Sequence, residues 1–158
     1  MFSVKTLTRS LALALLLMAA LSVGALAEEK PKPQTPATLA GGKVIAPAEA
    51  KTLLDGKQAL FFDMRSAVNF GKGHIPGAKA LPYKENSEFV ADFDAKVDQF
   101  DLAQLPADKN AAMVFYSDGP TGWKSYKAAA LSIKAGYKKV MWFREGFSSW
   151  QAAQYPVE

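Results

Sequence analysis

Hydrophobic and polar positions change their spacing several times along the chain. Leu11 to Val23 is almost wholly apolar, preceded by Lys5 and Arg9 and followed by Ala25-Leu26-Ala27. Residues 28–42 are polar at first and carry prolines at 31, 33 and 36, which predicts an extended, poorly packed linker. Beyond it, Val44-Ile45 predicts a short strand and Ala46-Pro47 the opening of a helix, with Ala50, Leu53 and Leu54 on one face and Gly56 at its end. Ala59 to Met64 is a nearly unbroken apolar run with Asp63 near its end, the pattern of a strand buried on both faces of a parallel sheet. Ser66 to Phe70 predicts a short helix, and Gly71, Gly73, Pro76 and Gly77 mark the loop after it. Ala78 to Pro82 suggests another short strand. Phe89, Val90, Phe93, Val97 and Phe100 approximate a helical stripe among acidic residues.

The last third is sharper. Met113–Tyr116 is a strongly apolar strand, Ser117-Asp118-Gly119-Pro120-Thr121-Gly122 a loop, and about Trp123 to Ala135 a helix. Tyr126, Ala129, Ala130 and Ile133 suit the inner face of that helix, and Gly136 a left-handed cap. Val140–Phe143 follows as a strand, Glu145-Gly146 as a turn and Phe147 to Ala153 as a helix. Strands alternating with helices predict an α/β fold with a central parallel sheet flanked by helices.

Composition narrows the chemistry. The 158 residues include no Cys and a single His. Disulfides, thiolate metal sites and thiol nucleophiles are thereby excluded, and no zinc site or other metal or cofactor is expected. The net charge of +4 is too modest and too scattered to indicate nucleic-acid binding. A basic start, a short apolar run and an A-x-A site together predict a signal peptide over residues 1–27. The apolar run is shorter than the ~20 residues that span a bilayer. Cleavage after Ala27 would leave residues 28–158, exported to a periplasm or secreted and without stable membrane insertion; an uncleaved segment would act as an anchor instead. The domain proper is expected over 43–158.

Phe62-Asp63-Met64-Arg65, Gly73-His74-Ile75-Pro76-Gly77-Ala78, and a tail of Gly136-Tyr137, Val140, Glu145-Gly146-Phe147, Trp150 and Pro156-Val157-Glu158 stand in a distinctive order. The chain from Lys43 to Glu158 resembles the rhodanese-like domain family through these motifs. The resemblance implies sulfurtransferase ancestry and a site at the turn after Tyr116. Within the family the loop is most similar to a C-x-x-x-x-C-W subgroup, with Ser117 and Gly122 where the cysteines stand and Trp123 retained.

Sulfur transfer needs a soft nucleophile that attacks a sulfane sulfur and carries it as a persulfide. A thiol serves, because its ordinary pKa of ~8.5 falls further at a helix N-terminus. A serine hydroxyl needs a neighbouring base to act at all. Ser117, in the position of the family nucleophile, is therefore expected to be inactive. The resemblance gives His74 a structural place, and Asp63 and Arg65 are expected to tie strand to loop. Two alternatives stand beside a non-catalytic module that binds an anion or a protein. One is a thiosulfate sulfurtransferase whose nucleophile was substituted in this chain; the other is a Ser/Asp-dependent hydrolase of small anionic esters. Backbone N–H groups at the turn and the following helix N-terminus could cradle sulfate, thiosulfate or phosphate. The binding residues would be Asp118, Gly119, Thr121, Gly122, Trp123, Lys124 and Ser125, with positive φ expected at Gly119 and Gly122. Equally, Gly119-Pro120 could be an ordinary tight turn, and Trp123 could be a pocket lip or a packing residue. An exported protein is the other expected partner.

Overall fold

A computed structural model describes residues 31–158. The expected signal segment, residues 1–27, and residues 28–30 of the expected linker lie outside them. From Lys32 onward the chain runs β1 (Lys43–Val44), α1 (Pro47–Asp55), β2 (Leu60–Asp63), α2 (Ala67–Gly71), β3 (Lys79–Ala80), β4 (Ala112–Tyr116), α3 (Trp123–Lys134), β5 (Lys139–Phe143) and α4 (Gly146–Ala152). The five strands form one parallel sheet in the order β1-β5-β4-β2-β3. Each predicted strand and helix outside residues 85–108 is present, displaced by at most two or three residues at its ends.

The unbroken apolar runs are explained by burial on both faces of the sheet. Side chains alternate along a strand, so Phe62, Met113, Phe115, Val140 and Trp142 join α3 residues Tyr126, Ala128 and Ala129 in one core layer. Phe61, Val114, Tyr116 and Phe143 point the other way, against Ala50 of α1, Phe147 and Trp150 of α4, and Ile75. Each fully buried side chain of this size contributes roughly 1.5–3 kcal/mol.

Two expectations change. The predicted helical stripe over 89–100 is not a helix: the chain makes turns there and one antiparallel bridge between Lys84 and Gln99. The reason is local competition for backbone amides. Asp98 accepts from the N–H groups of Asn86 and Ser87, Asp94 from Lys96, and Asp101 from Ala103. Phe93 is nonetheless buried, with Phe89 and Phe100 packed against the same core, so the aromatic stripe is packing. Lys127 of α3, fully buried, fastens this excursion by donating to the Ser87 carbonyl (3.1 Å) and hydroxyl (2.8 Å) beside Glu85 and Asp98. The second change concerns the linker. Its described part is extended, as expected, but Thr35 and Leu39 are buried rather than loose. The prolines read as signs of a free tether instead hold an extended segment in contact.

Candidate functional site

The strands β2, β4 and β5 end together at Asp63, Tyr116 and Phe143, whose registers match across the sheet. In parallel α/β sheets such carboxyl ends are where sites are built. Ser117 follows β4 directly and is almost fully buried. Its hydroxyl lies 3.1 Å from the Gly122 carbonyl, to which it donates, and 3.0 Å from the Ser125 hydroxyl. Ser125 also donates to Gly122 O (3.0 Å) and accepts from the Trp142 indole N–H (3.0 Å). Each hydroxyl has one proton, so with both given to the Gly122 carbonyl the Ser117–Ser125 approach is a polar contact, and the Trp142 indole closes the cluster from β5.

Two glycines allow this closure. A Cβ at Gly122 would stand 2.0 Å from Ser117 Oγ and 2.8 Å from the Gly119 carbonyl. Gly146 has φ +61°, and a Cβ there would lie 2.4 Å from the Ser117 carbonyl. Positive φ therefore falls at Gly146, whereas Gly122, at φ −83°, is a glycine because of close approach. Gly119 is also outside the positive-φ set. The expectation of left-handed backbone at 119 and 122 is thus corrected.

Two backbone donors of the loop are spent within it. The Gly122 N–H goes to Gly119 O (2.7 Å) and the Trp123 N–H to Thr121 O (3.1 Å). From α4, Phe147 N–H donates to Ser117 O (2.8 Å) and Ser148 N–H to Asp118 O (3.0 Å). Trp123 is buried, packed edge-on to Tyr126, and its indole N–H reaches Pro33 O (2.8 Å). Of the predicted site residues, Ser117, Gly122 and Ser125 come together. Thr121 is exposed and Lys124 half-buried, and neither donates to Ser117.

Asp118 turns outward, its carboxylate 3.9 Å from Arg65. Arg65 makes a two-pronged pair with buried Asp63, Nε at 3.0 Å from one oxygen and Nη2 at 2.7 Å from the other, and Nη2 also donates to Gly73 O (2.7 Å). Its guanidinium lies 4.1 Å from the centre of the Phe147 ring. Burial opposes the Arg65 charge, but Asp63 more than compensates and holds its pKa above the ordinary value. Burial likewise pushes the Tyr116 phenol up, so that it stays neutral, accepting from Ile75 N–H (3.2 Å). Beside Asp118 opens a cleft of about 260 Å³ lined by Arg65, Asn69, Lys72, Phe147, Ser148 and Gln151 among others.

His74 takes no part in the Ser117 network. Its Nδ1 lies 3.1 Å from Phe70 O, its ring stacks on Phe70, and its backbone exchanges two hydrogen bonds with Glu158. Among the described residues no group of three or more His, Asp or Glu side chains is disposed to hold a metal ion. Sequence reasoning missed Trp142, Gly146, Ser148 and Arg144. The alternation along β5 places Trp142 on the α3 face and could have revealed it; nothing local marks Arg144.

The rhodanese-like domain family matches residues 46–153. Similar proteins include the thiosulfate sulfurtransferase GlpE of Pseudomonas putida (strain GB-1), 32% identical over 73% of this chain and 90% of the relative. The uncharacterized protein YibN of Escherichia coli (strain K12) is 28% identical over 73% and 71%. Among solved structures, the BH2092 protein from Bacillus halodurans superposes with a TM-score of 0.57 at 20% identity, covering 74% of this chain and 77% of that one.

Proposed function

The chain belongs to the rhodanese-like domain family, and from that premise we propose that it is an exported, non-catalytic binding module for a small oxyanion such as sulfate, thiosulfate or phosphate. The observation that carries this reading is the state of Ser117. Its hydroxyl is buried and committed to a carbonyl and a second hydroxyl, with neither carboxylate nor imidazole among its partners. A hydroxyl so placed has no route to ionisation, which argues against ester hydrolysis as well as sulfur transfer. Export is supported by the residue pattern over 1–27.

The cleft beside Asp118 supports the oxyanion. Arg65 and Lys72 supply positive charge, and Asn69 and Gln151 supply neutral donors, while the Ser148 hydroxyl on the same wall donates to Asp118 O (2.7 Å). Asp118, on the same rim, favours a weak and selective site over a tight one. The amides of Gly122 and Trp123 are already engaged, and the cleft adds cationic side chains that the loop backbone lacks.

Thiosulfate and cyanide incubated with the protein should yield thiocyanate only at the background rate. Thiosulfate titrated against the labelled protein should give saturable NMR shifts at Lys72 and Ser148, lost in Lys72→Ala. Thiocyanate production by the unaltered chain would overturn the non-catalytic reading; shifts that never saturate, or that survive Lys72→Ala, would overturn the oxyanion site.

A further inference from the structure

Residues Lys32–Pro36 lie across the outer side of the Ser117 loop, gripped at each step. Pro33 O accepts from the Trp123 indole N–H (2.8 Å). Thr35 donates its N–H and its hydroxyl to Pro120 O (2.8 and 2.7 Å), and its own side chain is buried. Arg144 donates to Thr35 O (3.0 Å) and Pro36 O (3.0 Å). Lys32 places its ammonium 3.1 Å from Glu85 and 4.7 Å from the centre of the Phe89 ring. The receiving groups come from four separate places: the Ser117 loop, the start of α3, the turn after β5 and the excursion before Phe100.

These contacts have the logic of peptide recognition. Four hydrogen bonds fall on the backbone of the segment and fix an extended conformation; four more fall on its side chains. Three side chains are read: a cation by the carboxylate and ring of Glu85 and Phe89, a Gln amide by Arg144 (3.4 Å), and a Thr by Pro120 O and Arg144. Prolines at 33 and 36 pre-set the extended conformation and lower the ordering cost, as in recognition of proline-rich ligands. The receiving side also holds a buried charge that the occupant shares: the Glu85 side chain is nearly inaccessible, with one oxygen 3.1 Å from Lys32 and the other 3.5 Å from buried Lys127. Buried Leu39, then Gly41 at φ +76° and Gly42, lie between the strap and β1, so residues 32–36 can leave while Leu39 stays in the core.

We propose that the surface beneath Lys32–Pro36 is a peptide-recognition groove. The chain fills it with its own segment, and an extended Lys-Pro-x-Thr-Pro-like segment of another exported protein takes it in exchange. The inference develops the protein-binding side of the module and stands apart from the oxyanion cleft, which shares none of its contacts. The occupant in cis is held at an effective concentration in the millimolar range, so a partner competes against it.

The test uses Thr35→Pro in the full exported chain, a change that removes the N–H and hydroxyl given to Pro120. The probe is a fluorescent peptide with the sequence of residues 31–38. It should bind Thr35→Pro saturably, bind the unaltered chain at least about tenfold more weakly because the open state is the minority, and lose affinity when Arg144→Ala is added. Absence of saturable binding to folded Thr35→Pro would overturn the proposal, as would concentration-dependent dimers showing that copies exchange straps only with each other. A second measurement needs no variant. Excess unlabelled peptide should speed hydrogen exchange at the Thr35 amide of the unaltered chain and leave Phe115 unchanged. Unchanged Thr35 exchange would equally count against the groove.

Discussion

The loop after β2 and the loop after β4 open at the same edge of the sheet, yet they spend their polar groups in different ways. After β2, Asp63 and Arg65 are charged, buried and paired with each other, with the Gly73 carbonyl as a third member. After β4, Ser117, Gly122 and Ser125 are neutral and satisfy one another. The first network holds the edge of the domain together whatever happens at the second, because breaking it would strand a buried charge. The second carries no charge, so losing one of its members strands none. The difference between the loops should appear in energies.

The largest effect is expected at the first loop. Arg65→Met leaves Asp63 charged and buried, and should cost about 3–5 kcal/mol in urea denaturation. A loss below 1 kcal/mol would remove the distinction between the loops. Gly122→Ala comes next, at about 1–3 kcal/mol, because the new methyl group meets the Ser117 hydroxyl. Adding Ser117→Gly should recover part of that loss, leaving the contact with the Gly119 carbonyl; a double-mutant cycle measures the coupling directly.

A third prediction concerns acid, at the excursion fastened by Lys127. Burial alone would raise the Asp98 pKa, but hydrogen bonds from Ser87, Tyr83 and the amides of Asn86 and Ser87 lower it from 3.8 to about 2. The sign follows: the depressed carboxyl contributes stability above pH 3.8 and loses it as the pH falls through about 2. Asp98→Asn should flatten that part of the stability curve, and an unchanged slope would show that the site contributes nothing. Ser117→Ala is the smallest effect, below about 1.5 kcal/mol, since Ser125 still donates to the Gly122 carbonyl. Ser117→Cys at the same position should give thiocyanate slightly above background, limited by a side chain that faces inward.

Most of the sheet was legible in the sequence because a strand buried on both faces has to be apolar throughout. Met113–Tyr116 and Val140–Phe143 could scarcely be anything else. Residues 84–101 were not legible, because period-based reading weighs apolar spacing, whereas here aspartates capture the amides that a helix would need. In the site, the position of Ser117 after β4 and the lack of any thiol could be read from the residues alone. The inward turn of its hydroxyl could not, since it depends on Trp142 and Gly146, distant in sequence. The docked strap was hidden for a further reason: half of its hydrogen bonds are made by backbone, and those leave no signature in side-chain identity.

The three tryptophans turn these regions into spectroscopic channels. The Trp123 indole N–H is bonded to Pro33, that of Trp142 to Ser125, and that of Trp150 to Pro156 (2.8 Å). Each indole proton resonance therefore watches a different event: departure of the strap, rearrangement of the Ser117 network, or release of the C-terminal tail. One proton spectrum of the unaltered protein, recorded during a titration, separates the three without any label.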